Sequence, residues 1–312
     1  MSENRWQKEN FVFRLKSPLH IGYLPFKGSV VSPTRYYVPG RNLWGAITKR
    51  ITEHLFPQPT SQNYQDIGRS VIKNFRFSYF YLYDGKTIYL PRYTAEGLKY
   101  GGVTKAEFEH KFIGSIVSTE IESKSRTAKD ESLHEIEFIN NKFKDKDRNI
   151  KPVMIAGCIW IKNDAKIKDE YNLEIRDNEI FVDDLNIISE LILGGESKYG
   201  FGHVLLDSVD EIKLSNVPPF KWENPDEIKI ESDRSIVSHV KYSKDIEFKG
   251  EVELLTGRGY FDPKRLKNDN NTRASNNPGK IISKLEYYFS PGTVLMADKN
   301  GILDWDGTLI QA

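Results

Sequence analysis

Residues 11–17 (FVFRLKS) alternate apolar and polar positions, as a strand with one buried face does. In residues 36–56, Leu43, Ile47, Ile51 and Leu55 recur every fourth position, and Trp44 and Phe56 widen the same stripe. That spacing predicts an amphipathic helix opening just after Pro39-Gly40. Alternation returns in the aromatic stretch 72–83 (IKNFRFSYFYLY) and again in 86–91, with Asp84-Gly85 between them as a hairpin turn. Residues 92–150 are polar and show little apolar periodicity beyond EIEFI. Strands are predicted at 151–162 and 203–214, and a short helix at 183–195, capped by Asp183 or Asp184 and closed by glycine.

The order strand, helix, strand pair, insertion, strand, helix, strand is close to βαββαβ. It predicts an α+β protein: a ferredoxin-like (RRM-like) domain over 1–216 with a large insertion at about 92–150. The proline-containing segment 217–227 (VPPFKWENPDE) reads as a linker. Residues 228–312 then form a smaller C-terminal domain, β-rich or a second ferredoxin-like unit. It has strand candidates at 247–256, 284–289 and 293–298, and an Asn-rich loop between the first two.

Composition narrows the function. The 312 residues carry 45 Lys+Arg against 44 Asp+Glu, so a nucleic-acid site has to come from local patches rather than from the field of the whole chain. No apolar run approaches the ~18 residues of a membrane span, the first ten residues lack a signal-peptide core, and the single cysteine, Cys158, sits in an apolar strand as a core residue. These features predict a cytoplasmic protein with no membrane partner. The six histidines form no HxH, HxxxH or HExxH pair, and Asp304 and Asp306 in LDWDG lack a third ligand, so neither metal nor cofactor is expected. A lone histidine can still act as general base on a 2′-hydroxyl, and His20, in the loop after the first strand, is placed for that role.

Three stretches carry candidate RNA chemistry. In 193–207 (LGGESKYGFGHVLLD), four glycines precede a strand, but neither GxGxxG nor GxxxxGK[ST] is matched. Two readings stay open: Gly194, Gly195, Gly200 and Gly202, with Lys198 and Tyr199, form a loop that faces phosphate, or the loop is a tight connection with Phe201 packed inward. In 122–139, Lys124, Arg126 and Lys129 make either a basic arm along an RNA backbone or a solvated loop. In 73–105 tyrosines at 79, 81, 83, 89, 93 and 100 are interleaved with six Lys/Arg against two acids. That suits either base stacking or an aromatic core.

Four pieces, SPLHIG (17–22), YYVPGRNLWGAI (36–47), SRTAKDESLHEIEFI (125–139) and LGGESKYGFGHV (193–204), occur in an order that resembles the RAMP superfamily of CRISPR-associated proteins. The resemblance implies an RNA-recognition fold inside a guide-RNA-bound effector complex. It implies that Pro39, Gly40 and Arg41 approach RNA backbone, that the third piece is a thumb-like hairpin arm, and that the glycine loop packs beside RNA. Target-cleaving relatives carry an aspartate in the loop after the first strand, and residues 21–43 here contain no Asp or Glu. The stretches LLTGRGYFDPKRL and YYFSPGTVLMAD are similar to the second domain of subunits that grip the 5′ repeat-derived handle of the guide in type III complexes, of the subtype D kind. Tyr260-Phe261 stand where those relatives usually have Trp. The resemblance therefore implies a non-enzymatic, handle-binding subunit that caps the filament. Its partners would be guide RNA, neighbouring RAMP backbone subunits and the large polymerase-like subunit, with target RNA met indirectly. The alternatives are a backbone subunit, or a metal-independent guide-processing endoribonuclease using His20.

Overall fold

The computed structural model describes residues 5–23, 30–122, 124–128, 132–207, 217–255, 258–259, 281–282 and 286–311. Its centre is a seven-stranded antiparallel sheet. The long strand β1 (Trp6–Leu15) lies at the middle. A second strand, β2 (Val31–Ser32), belongs to another sheet, and β3 (Tyr37–Val38) forms the far edge of the central one. Two helices follow, α1 (Gly40–Leu55) and α2 (Ser61–Asn74), then β4 (Phe75–Phe77) and β5 (Phe80–Tyr83).

The first helix is where the fourfold spacing puts it. Leu43, Ile47 and Ile51 are fully buried against the sheet, and Pro39 is the N-cap. The second helix takes residues 61–74, including the start of what reads as one strand over 72–83. Its signal is a capping box between Thr60 and Asn63, with Ile67 and Val71 as its buried stripe. Gly68 lets the two helices close up: a Cβ there would lie 3.2 Å from the Trp44 ring, whose Nε1 donates to the Gly68 carbonyl.

The insertion is more regular than its polarity suggests. A small meander, β6 (Pro91–Thr94), β7 (Gly97–Tyr100) and β8 (Val103–Thr104), leads into helix α3 (Lys105–Phe112). That helix opens on a Thr104–Glu107 capping box and buries Phe108 and Phe112. Next comes a hairpin arm of β9 (Ile113–Ser118) and β10 (His134–Ile139), with β2 parallel to β10. A second hairpin, β11 (Lys142–Lys144) and β12 (Ile150–Pro152), closes the insertion.

The other central strand, β13 (Met154–Lys162), pairs antiparallel with β1 over nine residues and with β4 and β5 on its far side. The helix expected at 183–195 is absent. In its place a meander of β14 (Lys166–Ile167), β15 (Tyr171–Arg176), β16 (Glu179–Val182) and β17 (Leu185–Asn186) runs into β18 (Glu190–Ile192), which joins the central sheet through β19 (His203–Asp207). The reason is local. Asp177, Asn178 and Asp183 take left-handed φ values of 51°, 60° and 49°, which bend the chain into hairpins. Beyond them, Leu191 and Leu193 point inward while Glu190 and Ile192 point out, a period of two rather than 3.6. The central strands thus follow the order β19-β1-β13-β5, with helices in the first crossover and strands in the second.

Between β4 and β5 one extra residue opposes β13: Phe77 pairs with Ile159, and Tyr81, four residues on, with Ala156, three residues back. This bulge reverses the alternation. Phe75 and Phe77 before it, and Phe80 and Leu82 after it, face the helices; Tyr79, Tyr81 and Tyr83 face the other way. Gly157 makes the room, since a Cβ there would fall 2.4 Å from the Phe80 ring.

The face that carries the tyrosines is covered. A mixed sheet of Ile228–Ile230, Lys299–Leu303, Leu309–Gln311, Val240–Lys241, Glu286–Phe289 and Val252–Leu255 packs on it, with no helix among its described residues. Trp6, Tyr37, Tyr81 and Trp160 meet Phe220, Ile236, Val240, Phe289 and Leu309 there. Residues 217–227 are tied into the same layer: Trp6 Nε1 donates to Asp226, Lys8 Nζ to the Phe220 carbonyl and Glu223, and Trp160 Nε1 to the Glu223 carbonyl. Cys158 is fully buried in this layer and its thiol donates to Asn10; burial pushes its pKa well up.

Candidate nucleic-acid interface

Segments far apart in sequence gather where β1 leaves the central sheet. The Gly195 N–H donates to the His20 carbonyl at 2.9 Å and the Gly202 N–H to the Pro18 carbonyl at 2.7 Å. Leu19 exchanges backbone hydrogen bonds with Ile139 at the base of the arm. Arg35 N–H donates to the Ile21 carbonyl, and Ile21 N–H to the Thr34 hydroxyl. Phe201 packs edge-on against Phe138 at 5.3 Å, so the inward-packed reading of Phe201 describes that ring.

The glycines of the loop have different reasons. Gly194 (φ +75°) would put a Cβ 2.2 Å from the His20 carbonyl oxygen, and Gly202 (φ +83°) 2.0 Å from that of Leu193. Their close approach is to the protein's own backbone. Gly200 (φ +82°) faces open space, so the turn conformation alone calls for it. Between them Ser197–Tyr199 form one 3₁₀ turn entered from a left-handed Glu196, and Lys198 and Tyr199 stand exposed on it. Tyr199 is 77% exposed, an aromatic ring with no core to fill.

His20 is only 5% exposed. Its Nδ1 lies 2.7 Å from the Glu137 carbonyl, which accepts, so Nδ1 carries the proton and Nε2 the lone pair. The ring is closed over by the backbone of Gly22 and Gly195, where added Cβ atoms would lie 2.9 and 3.2 Å from it.

The start of α1 is also occupied from within. A Cβ on Gly40 would come 2.8 Å from the Asp306 carbonyl carbon, Arg41 N–H donates to the Asp306 carbonyl, and the Arg41 guanidinium lies over the Trp305 ring at 5.2 Å. Asp306 caps Thr308 through both its N–H and its hydroxyl, a satisfied turn. Among the described residues no group of three His, Cys, Asp or Glu is arranged to hold a metal, and no helix is long and apolar enough to cross a membrane.

On the arm, Lys124 and Arg126 are exposed in the turn beyond β9, with Arg126 at φ +56° and its N–H bonded to the Glu122 carbonyl. Lys129, Tyr260 and Phe261 lie outside the described residues, as does the Asn-rich stretch. Five of the six tyrosines of 73–105 resolve toward the core reading, and Tyr93 is half-buried. Tyr79, Tyr81, Tyr83, Tyr89 and Tyr100 are all buried.

Two polar features were not singled out from the sequence. One is a cavity of about 250 Å³ between α3 and the arm, lined by Tyr36, Glu109, Glu135 and Glu137 among others. The alternation of HEIEFI already put Glu135 and Glu137 on one face. The other is a cluster under the C-terminal sheet. Arg35 forms a bidentate pair with Glu253 at 3.1 and 3.0 Å and donates to Tyr37; Glu253 also accepts from His239 Nε2, and His239 Nδ1 accepts from Tyr79. Burial pushes the His239 pKa below its ordinary value against the pull of Glu253. For Glu253 burial acts upward, but the His239 hydrogen bond and the Arg35 charge together outweigh it and hold the carboxyl at about 2. Nothing short of the fold could have joined residues 35, 79, 239 and 253.

No protein-family model matches the sequence, and no curated protein does. Among solved structures, the chain is similar to a chain of the type III-B Cmr-beta bound to cognate target RNA, at 12% identity, 92% coverage of this chain and 86% of that one, with a TM-score of 0.46. A chain of the same assembly bound to cognate target RNA and AMPPnP gives 11%, 92%, 86% and 0.48. One from its apo state gives 10%, 66%, 98% and 0.38.

Proposed function

We propose that this chain is a non-catalytic RNA-binding subunit of a type III CRISPR effector complex, gripping the 5′ handle of the guide and capping the subunit filament. The observation that carries the reading is the gathering of 17–22, 34–36, 137–139 and 193–202 at one end of the central sheet. Three of them, 17–22, 137–139 and 193–202, belong to the pieces whose order resembles RAMP proteins, and 34–36 leads into the remaining piece, 36–47. The RNA path suggested by the exposed groups runs from Lys198 and Tyr199 on the glycine loop toward Lys124 and Arg126 on the arm. Tyr199 offers a stacking face and the three cations offer phosphate contacts. Gly40 and Arg41 are engaged by residues 305–307, and with Pro39 as the N-cap of α1 they contribute by shaping the end of the sheet. The handle-binding role and the subtype D kinship rest on the C-terminal stretches, part of which lies outside the described residues.

One observation favours a second reading: the His20 tautomer leaves Nε2 as a base, which is what an endoribonuclease needs. Its enclosure favours the first. Both are tested with labelled repeat RNA. Lys198→Ala is expected to leave the melting temperature unchanged and to weaken binding roughly 5- to 30-fold, the worth of one charge-assisted phosphate hydrogen bond. Neutralising Lys124 and Arg126 together is expected to flatten the log–log salt dependence by about 0.7 for each phosphate no longer neutralised. Wild-type affinity and slope in these variants would end the RNA reading of this face. Discrete cleavage that vanishes in His20→Ala would establish the nuclease instead.

A further inference from the structure

Strand β9 is the outer edge of the arm's sheet: β10 pairs with one side of it, and no described strand pairs with the other. Ser115, Ile116 and Val117 are exposed, with Ile116 at 48% and Val117 at 59%, although successive side chains point to opposite faces. The strand is therefore open on both faces as well as along one edge. Edges left in water are ordinarily guarded by charge, proline, bulges or short length. Other edges of this molecule follow that rule: β12 carries Lys151 and Pro152, and β18 is three residues long with Glu190 on it. From Ile113 to Ser118 the sequence is IGSIVS, β-branched and uncharged, with no proline.

The face beside this edge has a strong charge preference. Cross-strand pairing sets Glu135 opposite Val117 and Glu137 opposite Ser115, so both carboxylates share one face. They line the ~250 Å³ cavity together with Glu109. Glu137 accepts from the Thr34 N–H and Glu109 from the Tyr36 hydroxyl, with Lys105 at 3.6 Å from Glu109 on the helix. No cationic side chain lines the cavity, and among the described residues Glu135 forms no ion pair. Phosphate is repelled here; cationic side chains are what it fits.

We propose that the outer edge of β9 accepts an extended, basic segment of another protein chain as an added strand, its cationic side chains entering the cavity at Glu109, Glu135 and Glu137. Main-chain hydrogen bonds supply the affinity and alternate side chains the specificity. The partner is thus marked by Arg or Lys at every second position, with uncharged residues between. The inference stands on the strand and the carboxylates, so it holds or fails separately from the RNA grip assigned to the glycine loop and the arm tip.

The test uses the full chain and a short fluorescein-labelled peptide alternating Arg with Val and Thr, followed by fluorescence anisotropy. Three comparisons are made: a twin with Glu in place of Arg, a twin N-methylated along the pairing edge, and labelled repeat RNA as competitor. Saturable binding of the Arg peptide is expected. The Glu twin and the N-methylated twin are each expected to bind at least about tenfold more weakly, as is the Arg peptide to Glu135→Gln. Ile116→Lys, on an exposed side chain, is expected to weaken the peptide while leaving the melting temperature and RNA affinity unchanged. No binding of the Arg peptide up to about 1 mM overturns the proposal. So does equal binding to Glu135→Gln, or equal binding of the N-methylated twin. Displacement of the peptide by repeat RNA overturns it in favour of an RNA groove.

Discussion

The two faces of the central sheet come from the same strands and differ in chemistry. Toward the helices the sheet shows Phe11, Phe13, Phe75, Phe77, Ile155 and Ile159, rings and branches without a polar atom. Toward the C-terminal sheet it shows Tyr37, Tyr79, Tyr81, Tyr83 and Trp160, the same bulk with a hydroxyl or N–H at the tip. The first face needs only volume to be filled. The second needs volume and partners, and it finds them: Tyr81 donates to the Val237 carbonyl, Tyr79 to His239, and Tyr37 accepts from Arg35. The difference teaches that the tyrosine face is an interface between two layers that each supply half of a hydrogen-bond network. An aromatic sheet face of this kind has the composition of an RNA platform, and here it is closed.

The contrast makes quantitative demands. Phe11→Ala, on the helix side, removes a fully buried ring and is expected to destabilise by about 3–5 kcal/mol in denaturant unfolding. Arg35→Ala, on the other side, is expected to cost about 3 kcal/mol, because it strands Glu253 rather than because it opens space. Replacing Arg35 and Glu253 together should recover part of that loss; no recovery in the double variant would make the cluster mere packing. On the tyrosine side acid acts through this cluster. Glu253 is depressed from 4.5 to about 2, so its contribution is complete above pH 4.5 and is lost as pH falls toward 2. His239, also lowered, adds in the same direction below pH 6.5. Thermal melts of Glu253→Gln should show a shallower loss of stability between pH 4.5 and pH 2 than the wild type. The smallest effect is Tyr79→Phe, about 1–2 kcal/mol, from leaving His239 Nδ1 without its donor. A matching Phe13→Tyr on the helix side should cost more than this, because nothing there accepts a hydroxyl.

Alternation and spacing made several elements legible: the strands at β1 and β13, the helix α1 and the turn at Asp84-Gly85. They failed where two signals competed. Residues 75, 77, 79, 81 and 83 are all aromatic at strict period two, which reads as one face. The bulge at 78–79 splits them, and the only trace of it in the sequence is the change from Phe to Tyr around Ser78. Helices α2 and α3 were hidden by polar stretches; their capping boxes, Thr60–Asn63 and Thr104–Glu107, were the available signs. The helix expected at 183–195 failed because left-handed Asp and Asn turns outweighed an apolar run that fits either period. At the candidate interface, the glycine loop, His20 and the arm could each be picked out as residues. That Gly194 and Gly202 answer to the protein's own carbonyls could not, since a close approach names no partner until the chain is folded.

The closure of the first turn of α1 by residues 305–307 has a consequence in time. Gly40 and Arg41 emerge early from the ribosome, and the turn that seals them follows the last strand of the central sheet, β19, by roughly 100 residues. At 5–20 residues per second that interval is about 5–20 s. In its first part, before residues 220–253 are made, the tyrosine face is uncovered and Arg35 has no carboxylate. Nascent chains stalled after residue 216 should therefore be cut by protease at sites that are protected once residue 311 has cleared the exit tunnel. In a chain made from its N-terminus, that face stays in water until the chain's own later residues arrive to cover it.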